Sequence, residues 1–158
     1  MKNSVFILAI FVMVGCTSIN YSELQQSSAK VSNLEVGEIG KPFSNTHKLD
    51  LKFDYTIEQY HDVRNLYSCM VLFALNEGGK MHSYSKTRKP CSIDAQSGTI
   101  SLTWDTPLSA SVSAGYGNEV LEQMQLPLKF HVTIHQRQSK EKHLVIGMSE
   151  AMYLNPKI

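Results

Sequence analysis

Four kinds of side chain in this sequence could carry chemistry if their spacing allowed it: cysteines, histidines, carboxylates and serines. Cys69 and Cys91 lie well inside the chain, far from each other and outside any Cys-x-x-Cys. Without a second cysteine pair they make poor zinc ligands, and no thioredoxin-like redox motif is present. The chemistry left to them is a disulfide with each other, provided the chain works where thiols are oxidised. His131 and His135 would share one face of a helix and could then chelate a metal ion. On a strand they lie about 13–14 Å apart, too far for one ion, and the expectation is that both sit on its wet face. His47, His61, His82 and His143 fall in or near loops, and no spacing selects a site among them.

Paired carboxylates could serve glycoside hydrolysis at a suitable separation. Asp50 and Asp54 fall on the outer face of one strand, about 14 Å apart, so solvation accounts for them better. Serines are abundant, but no Gly-x-Ser-x-Gly elbow occurs. Gly115-Tyr116-Gly117 lacks the further glycine and the helix of a phosphate cradle, and Gly78-Gly79-Lys80 reads as a hairpin turn. No catalytic residue, metal or cofactor is expected, and the chain reads as a non-enzyme. Tyr60, Tyr84, Tyr116 and Tyr153 fall at loops or strand ends, where aromatic side chains are enriched in partner contacts. Of these places the loop Gly115, Tyr116, Gly117 and Asn118 is the first choice for a contact surface.

The elements that must position these residues are strands. Leu49, Leu51, Phe53, Tyr55 and Ile57 alternate with Asp50, Lys52, Asp54 and Thr56, which specifies a strand with one buried and one wet face. Leu66 to Leu75 is apolar at both parities and suits a central strand covered on both sides. Asn76-Glu77-Gly78-Gly79 then turns the chain into a hairpin partner near Met81 to Ser85. With that loop, facing positions sum to 155, so Cys69 faces Lys86 and Cys91 lies about 17 Å out of register. Bonded cysteines need Cα atoms within about 7 Å, so a disulfide requires the chain to turn back around Thr87 to Pro90. Ile100, Leu102 and Trp104 form the next strand and Asp105-Thr106-Pro107 ends it. Leu108 to Ala114 reads as an extended edge segment, and Glu119 to Gln125 as either a helical turn or a strand entrance. Leu126, Leu128, Phe130, Val132 and Ile134 alternate again, a polar hairpin follows at Gln136 to Lys142, and Leu144 to Leu154 returns as the last strand. A short, bent strand over Leu34 to Phe43 comes first.

Seven to nine such strands predict an all-β fold, an antiparallel β-sandwich of immunoglobulin-like or transthyretin-like architecture, with a small β-barrel as the alternative. Trp104 follows both cysteines instead of lying between them as in immunoglobulin domains, so only the architecture is predicted.

The amino end says where this body works. Lys2 precedes an unbroken apolar run from Val5 to Val14, about half of the roughly 20 residues that span a bilayer. It reads as the core of a cleaved signal peptide. The ending Met13-Val14-Gly15-Cys16 resembles the lipobox of bacterial lipoproteins. That resemblance implies lipidation of the Cys16 thiol, cleavage after residue 15, and membrane attachment through several acyl chains, each buried methylene contributing about 0.8 kcal/mol. Thr17 after the cysteine implies sorting to the periplasmic leaflet of the outer membrane of a Gram-negative cell. Residues 16–32, polar with scattered apolar positions, read as the lipidated cysteine and a flexible tether reaching on the order of 20–25 Å. Residues 33–158 then form a single domain. In an exported chain Cys69 and Cys91 are expected to be bonded.

The whole chain carries 15 Lys and Arg against 14 Asp and Glu in 158 residues, and cleavage removes only Lys2. A balanced charge argues against nucleic-acid binding. The function expected is a non-catalytic accessory or assembly factor that binds another envelope protein. The alternatives are an inhibitor or immunity-type lipoprotein that blocks a hydrolase, and a carrier whose enclosed cavity holds a small apolar ligand.

Overall fold

The computed structural model describes residues 19–20, 28–41, 46–74, 80–82, 91–107, 127–140 and 142–154. They form ten strands: β1 Ile19–Asn20, β2 Ala29–Ile39, β3 Lys48–Ile57, β4 Tyr67–Ala74, β5 Lys80–His82, β6 Cys91–Ile93, β7 Ser97–Asp105, β8 Leu128–Arg137, β9 His143–Met148 and β10 Met152–Leu154. All pairings are antiparallel. One sheet has seven strands and the other three, in the order β2-β3-β7. The two pack face to face as a β-sandwich, and the sheets do not close into a barrel.

Each sheet contributes one row of alternate side chains to the shared core. From β3 come Leu49, Leu51, Phe53, Tyr55 and Ile57, and from β8 come Leu128, Phe130, Val132 and Ile134, all buried. Tyr67, Cys69, Val71 and Phe73 of β4 complete the layer, with Phe73 and Phe130 in ring contact at 5.8 Å between centroids. Burying side chains of this size stabilises by about 1.5–3 kcal/mol each, so these rows fix which face of every strand turns inward.

In the large sheet β4 and β8 lie side by side, and the other edge of each is lined by two short strands. Along β4, Phe73 faces His82 and Ala74 faces Met81, as the turn at Asn76 to Gly79 predicts. Farther along the same edge Cys69 faces Cys91. Facing numbers sum to 155 in the first pairing and 160 in the second, a difference of five residues between the two registers. In the second register the cysteine Cα atoms are 5.0 Å apart, and Cys69 and Cys91 are bonded. Along β8 the expected last strand is divided into β9 and β10. Ser149 sits at the division, where its N–H donates to the Val132 carbonyl and its Oγ accepts from the Val132 N–H at 3.0 Å, continuing the ladder across the gap.

The first long strand begins earlier than the sequence suggests. Ala29 to Ser32 were expected in the tether, but they pair with Ile57 to Asp54, and Ile19–Asn20 pairs with Met81 and Lys80. Ala29 is buried although its neighbours are polar. It packs where β2 crosses Gly147, so closely that a Cβ on that glycine would lie 2.4 Å from the Ala29 carbonyl oxygen. The strand is bulged between Ser32 and Glu35, ahead of the glycines and proline that suggested a bend, and there Asn33 takes a φ of 51°.

Candidate functional site

Cys16 and the loop Gly115, Tyr116, Gly117 and Asn118 lie outside the described residues, as do Leu108 to Gln125. Asp50 and Asp54 are on the outer face of the three-stranded sheet, among Lys48, Lys52 and the hydroxyls of β7. Asp54 accepts hydrogen bonds from Thr99 Oγ1 at 2.5 Å and Asn33 Nδ2 at 2.7 Å. These bonds, helped to a lesser degree by the Lys52 charge, hold its carboxyl below the usual range against the opposing cost of desolvation. A carboxylate kept ionised in this way stabilises the bulge and has no proton to give.

The two histidines of β8 correct the expectation of a wet face. His131 is 7% and His135 1% exposed, and Thr133 between them is fully buried. They face away from the core row of the same strand, beside Leu72, Met70 and Ser68 of β4. His131 donates from Nδ1 to the Ser149 carbonyl at 3.0 Å. The Thr133 hydroxyl donates to the Met70 carbonyl at 3.2 Å and meets His135 Nε2 at 2.7 Å, which makes Nε2–H the donor and leaves His135 Nδ1 buried without a partner. Burial, and secondarily the His143 charge, lower the His135 pKa to about 4. Burial also lowers that of His131, opposed by its bond to Ser149. Both rings are neutral near pH 7, and they are too far apart to share an ion. Among the described residues no group of three His, Cys, Asp or Glu is placed to hold a metal.

A hydroxyl, an imidazole and a carboxylate do converge elsewhere, where no motif announced them. His47 is fully buried, with Nδ1 2.5 Å from Thr106 Oγ1 and Nε2 3.0 Å from Glu38 Oε2. The order resembles the hydroxyl–histidine–carboxylate arrangement of hydrolases. Thr106, however, is 1% exposed, so its oxygen has no path to a substrate. The chain of bonds latches the end of β2 and the start of β3 to the exit of β7.

The opposite end of the sandwich offers an accessible surface. The connection from β3 to β4 and the turn from β6 to β7 enclose a depression of about 390 Å³ lined by Tyr60, Asp62, Val63, Arg64, Asn65, Ser92 and Asp94. Its floor is held by Tyr67, whose hydroxyl accepts from the His61 N–H at 3.2 Å and donates to the Gln59 carbonyl at 3.1 Å. That clamp fixes the loop so that the Tyr60 ring stacks on Tyr67, 5.3 Å between centroids and 27° between planes. Partial desolvation, then the Asp62 and Asp94 charges and Tyr67, push the Tyr60 phenol up. Tyr55, whose hydroxyl donates to the Ala95 carbonyl at 3.2 Å, is pushed up by burial first and by Tyr60 and Asp94 after it. Ser92 Oγ reaches both oxygens of Asp94, at 3.0 and 3.1 Å. Val63, an apolar side chain, stands 53% exposed on the rim.

Of the tyrosines singled out in the sequence, Tyr60 therefore belongs to this surface, and Tyr153 is exposed on β10. Asp62, Arg64 and Asp94 carried no signal, because their meeting depends on a turn roughly thirty residues downstream. A second depression, about 310 Å³, forms over Gly37 on the outer face of the small sheet. Its charged rim of Glu35 and Lys52, 3.5 Å apart, is solvated. Both depressions are open to solvent. No family model, curated protein or solved structure matches the chain.

Proposed function

We propose that this chain is a lipid-anchored protein of the bacterial envelope, held through Cys16 to the periplasmic leaflet of the outer membrane of a Gram-negative cell. Its β-sandwich docks another envelope protein and catalyses no reaction, as an accessory or assembly factor. The address rests on the lipobox-like Met13-Val14-Gly15-Cys16 behind its apolar run. The Cys69–Cys91 bond agrees with it, since such bonds persist in oxidising compartments.

The observation that carries the docking role is the end of the sandwich where Tyr60, Arg64 and the exposed Val63 surround one depression. Tyrosine and arginine dominate binding energy at interfaces, and here the aromatic ring is already fixed by Tyr67, which lowers the entropy lost on binding. The test is photocrosslinking in intact cells, with p-benzoylphenylalanine placed at Val63 and, as control, at Ser101 on the outer face of the small sheet. A discrete adduct with an envelope protein from Val63 alone, lost in Cys16→Ser, is the expected result. Equal labelling from both positions, or an unchanged adduct in Cys16→Ser, would overturn the docking site or the anchor respectively.

A further inference from the structure

The depression at the end of the sandwich has a chemical preference. Asp62 and Asp94 line the depression together with Tyr60, and neither has an ion-pair partner among the described residues. Ser92 holds the Asp94 carboxylate by hydrogen bonds to both of its oxygens. Beneath them Tyr60 is stacked on Tyr67, whose hydroxyl is locked to the loop backbone. Such a ring attracts a cation to its face, and two carboxylates beside it add to the attraction. Arg64 lines the same depression without pairing to either aspartate, which leaves it available to a carboxylate or carbonyl next to an arriving cation.

We propose that this depression recognises a cationic side chain, lysine or arginine, presented by the partner protein, with Tyr60 as the aromatic platform, Asp62 and Asp94 as counter-charges and Arg64 as the acceptor's anchor. The proposal rests on the docking reading above and names the partner's chemistry. Since ligand charge is the claim, the probes are N-acetyl-arginine amide and its uncharged isostere N-acetyl-citrulline amide. They are titrated into the full mature protein in detergent while backbone amide shifts of residues 60–65 and 92–94 are followed.

The arginine probe is expected to shift these amides saturably, and the citrulline probe to bind about tenfold more weakly. Asp62→Asn/Asp94→Asn should abolish the difference, Tyr60→Leu should weaken binding of the cation, and Tyr60→Phe should retain it, each with the remaining amide spectrum unchanged as proof of folding. Equal binding of the two probes, or an unaffected double variant, overturns the proposal. The in-cell adduct from Val63 separates the two claims. If it forms as strongly in Asp62→Asn/Asp94→Asn as in the parent, the docking reading stands and the cation preference falls; if it never forms, the docking reading itself falls.

Discussion

β3 and β8 carry the same pattern and live in different surroundings. Each is a ten-residue strand whose alternate apolar side chains enter the shared core. The rows on their other faces diverge. Lys52, Asp50 and Asp54 of β3 stay at the surface, while His131, Thr133 and His135 of β8 are buried. The polar groups behave accordingly. Asp54 gathers hydrogen bonds in water and is held ionised, whereas His135 is stripped of water and held neutral, with one nitrogen unpartnered. Period two reports which face is core. Whether the opposite face is also covered depends on segments remote in the chain.

The largest effect expected from this difference is on charge. Thr133→Asp would put a carboxylate at a fully buried position where the threonine's hydrogen-bond partners are a neutral ring and a carbonyl. The cost is about 4 kcal/mol or more, enough to unfold many domains of this size. Ser101→Asp on the exposed face of the small sheet lies opposite Lys52 and should change stability by no more than about 0.5 kcal/mol. Urea midpoints decide it. Equal shifts in the two variants would mean that the outer face of β8 is as wet as that of β3.

Acid separates the same two faces. His135 has a folded pKa of about 4 against an ordinary value of 6.5. Between those limits the unfolded chain binds a proton that the folded chain refuses, so stability falls as pH is lowered, by about 3 kcal/mol in all. His131 acts in the same direction. Asp54 has the same sign in a lower window: its lowered pKa contributes stability that is present above pH 3.8 and lost only as pH falls below that value. Melting curves from pH 7 to 4 should therefore show a slope that His135→Gln flattens and Asp54→Asn leaves in place. A slope unaltered by His135→Gln would assign the acid sensitivity elsewhere.

The edges of the sheets sharpen the contrast. β7 runs along β3 in unbroken register over nine residues, whereas β6 meets β4 through only three pairs, one of them Cys69 with Cys91. Reducing that bond, which closes a loop with a sequence separation of 22, should cost about 3 kcal/mol in the chain-entropy model. A dithiothreitol-dependent fall in the urea midpoint, absent in Cys69→Ala/Cys91→Ala, is the measurement. No change on reduction would mean that β6 is held by its apolar contacts alone.

Much of this architecture was legible because the core rows obey a strict local period. Leu49 to Ile57 and Leu128 to Ile134 declare their inward faces without reference to anything else, and Phe73 faces His82 in the register that turn residues at Asn76 to Gly79 predict. The cysteine pair demanded a detour that pure hairpin geometry denied. What stayed hidden depends on distance along the chain. Ala29 reads as part of a polar tether until Gly147 makes room for it. His47 meets Thr106 across 59 residues. The depression at the end of the sandwich exists because the turn at Asp94 folds beside Tyr60. The presence of His131, Thr133 and His135 beyond Lys129 on the far side of β8 was the available clue to its burial, since none of the three need carry a charge at neutral pH.

The smallest effect expected tests whether the wet face of β3 is forgiving in its backbone as well as its charges. Asn33 occupies the bulge of β2 with a φ of 51° and gives its amide to Asp54. Asn33→Gly removes the hydrogen bond but suits the left-handed conformation, so its cost should stay within about 0.5 kcal/mol. Asn33→Ala removes the same bond and adds the steric penalty of a Cβ in that region, about 1 kcal/mol more. The difference between the two variants thus isolates the backbone, because the loss at Asp54 is common to both. If alanine and glycine lower the urea midpoint equally, the amide bond to Asp54 governs the bulge and its left-handed residue is without consequence. If glycine is the better tolerated, the bulge is a backbone device, and the exposed carboxylate merely selects asparagine among the residues able to adopt it.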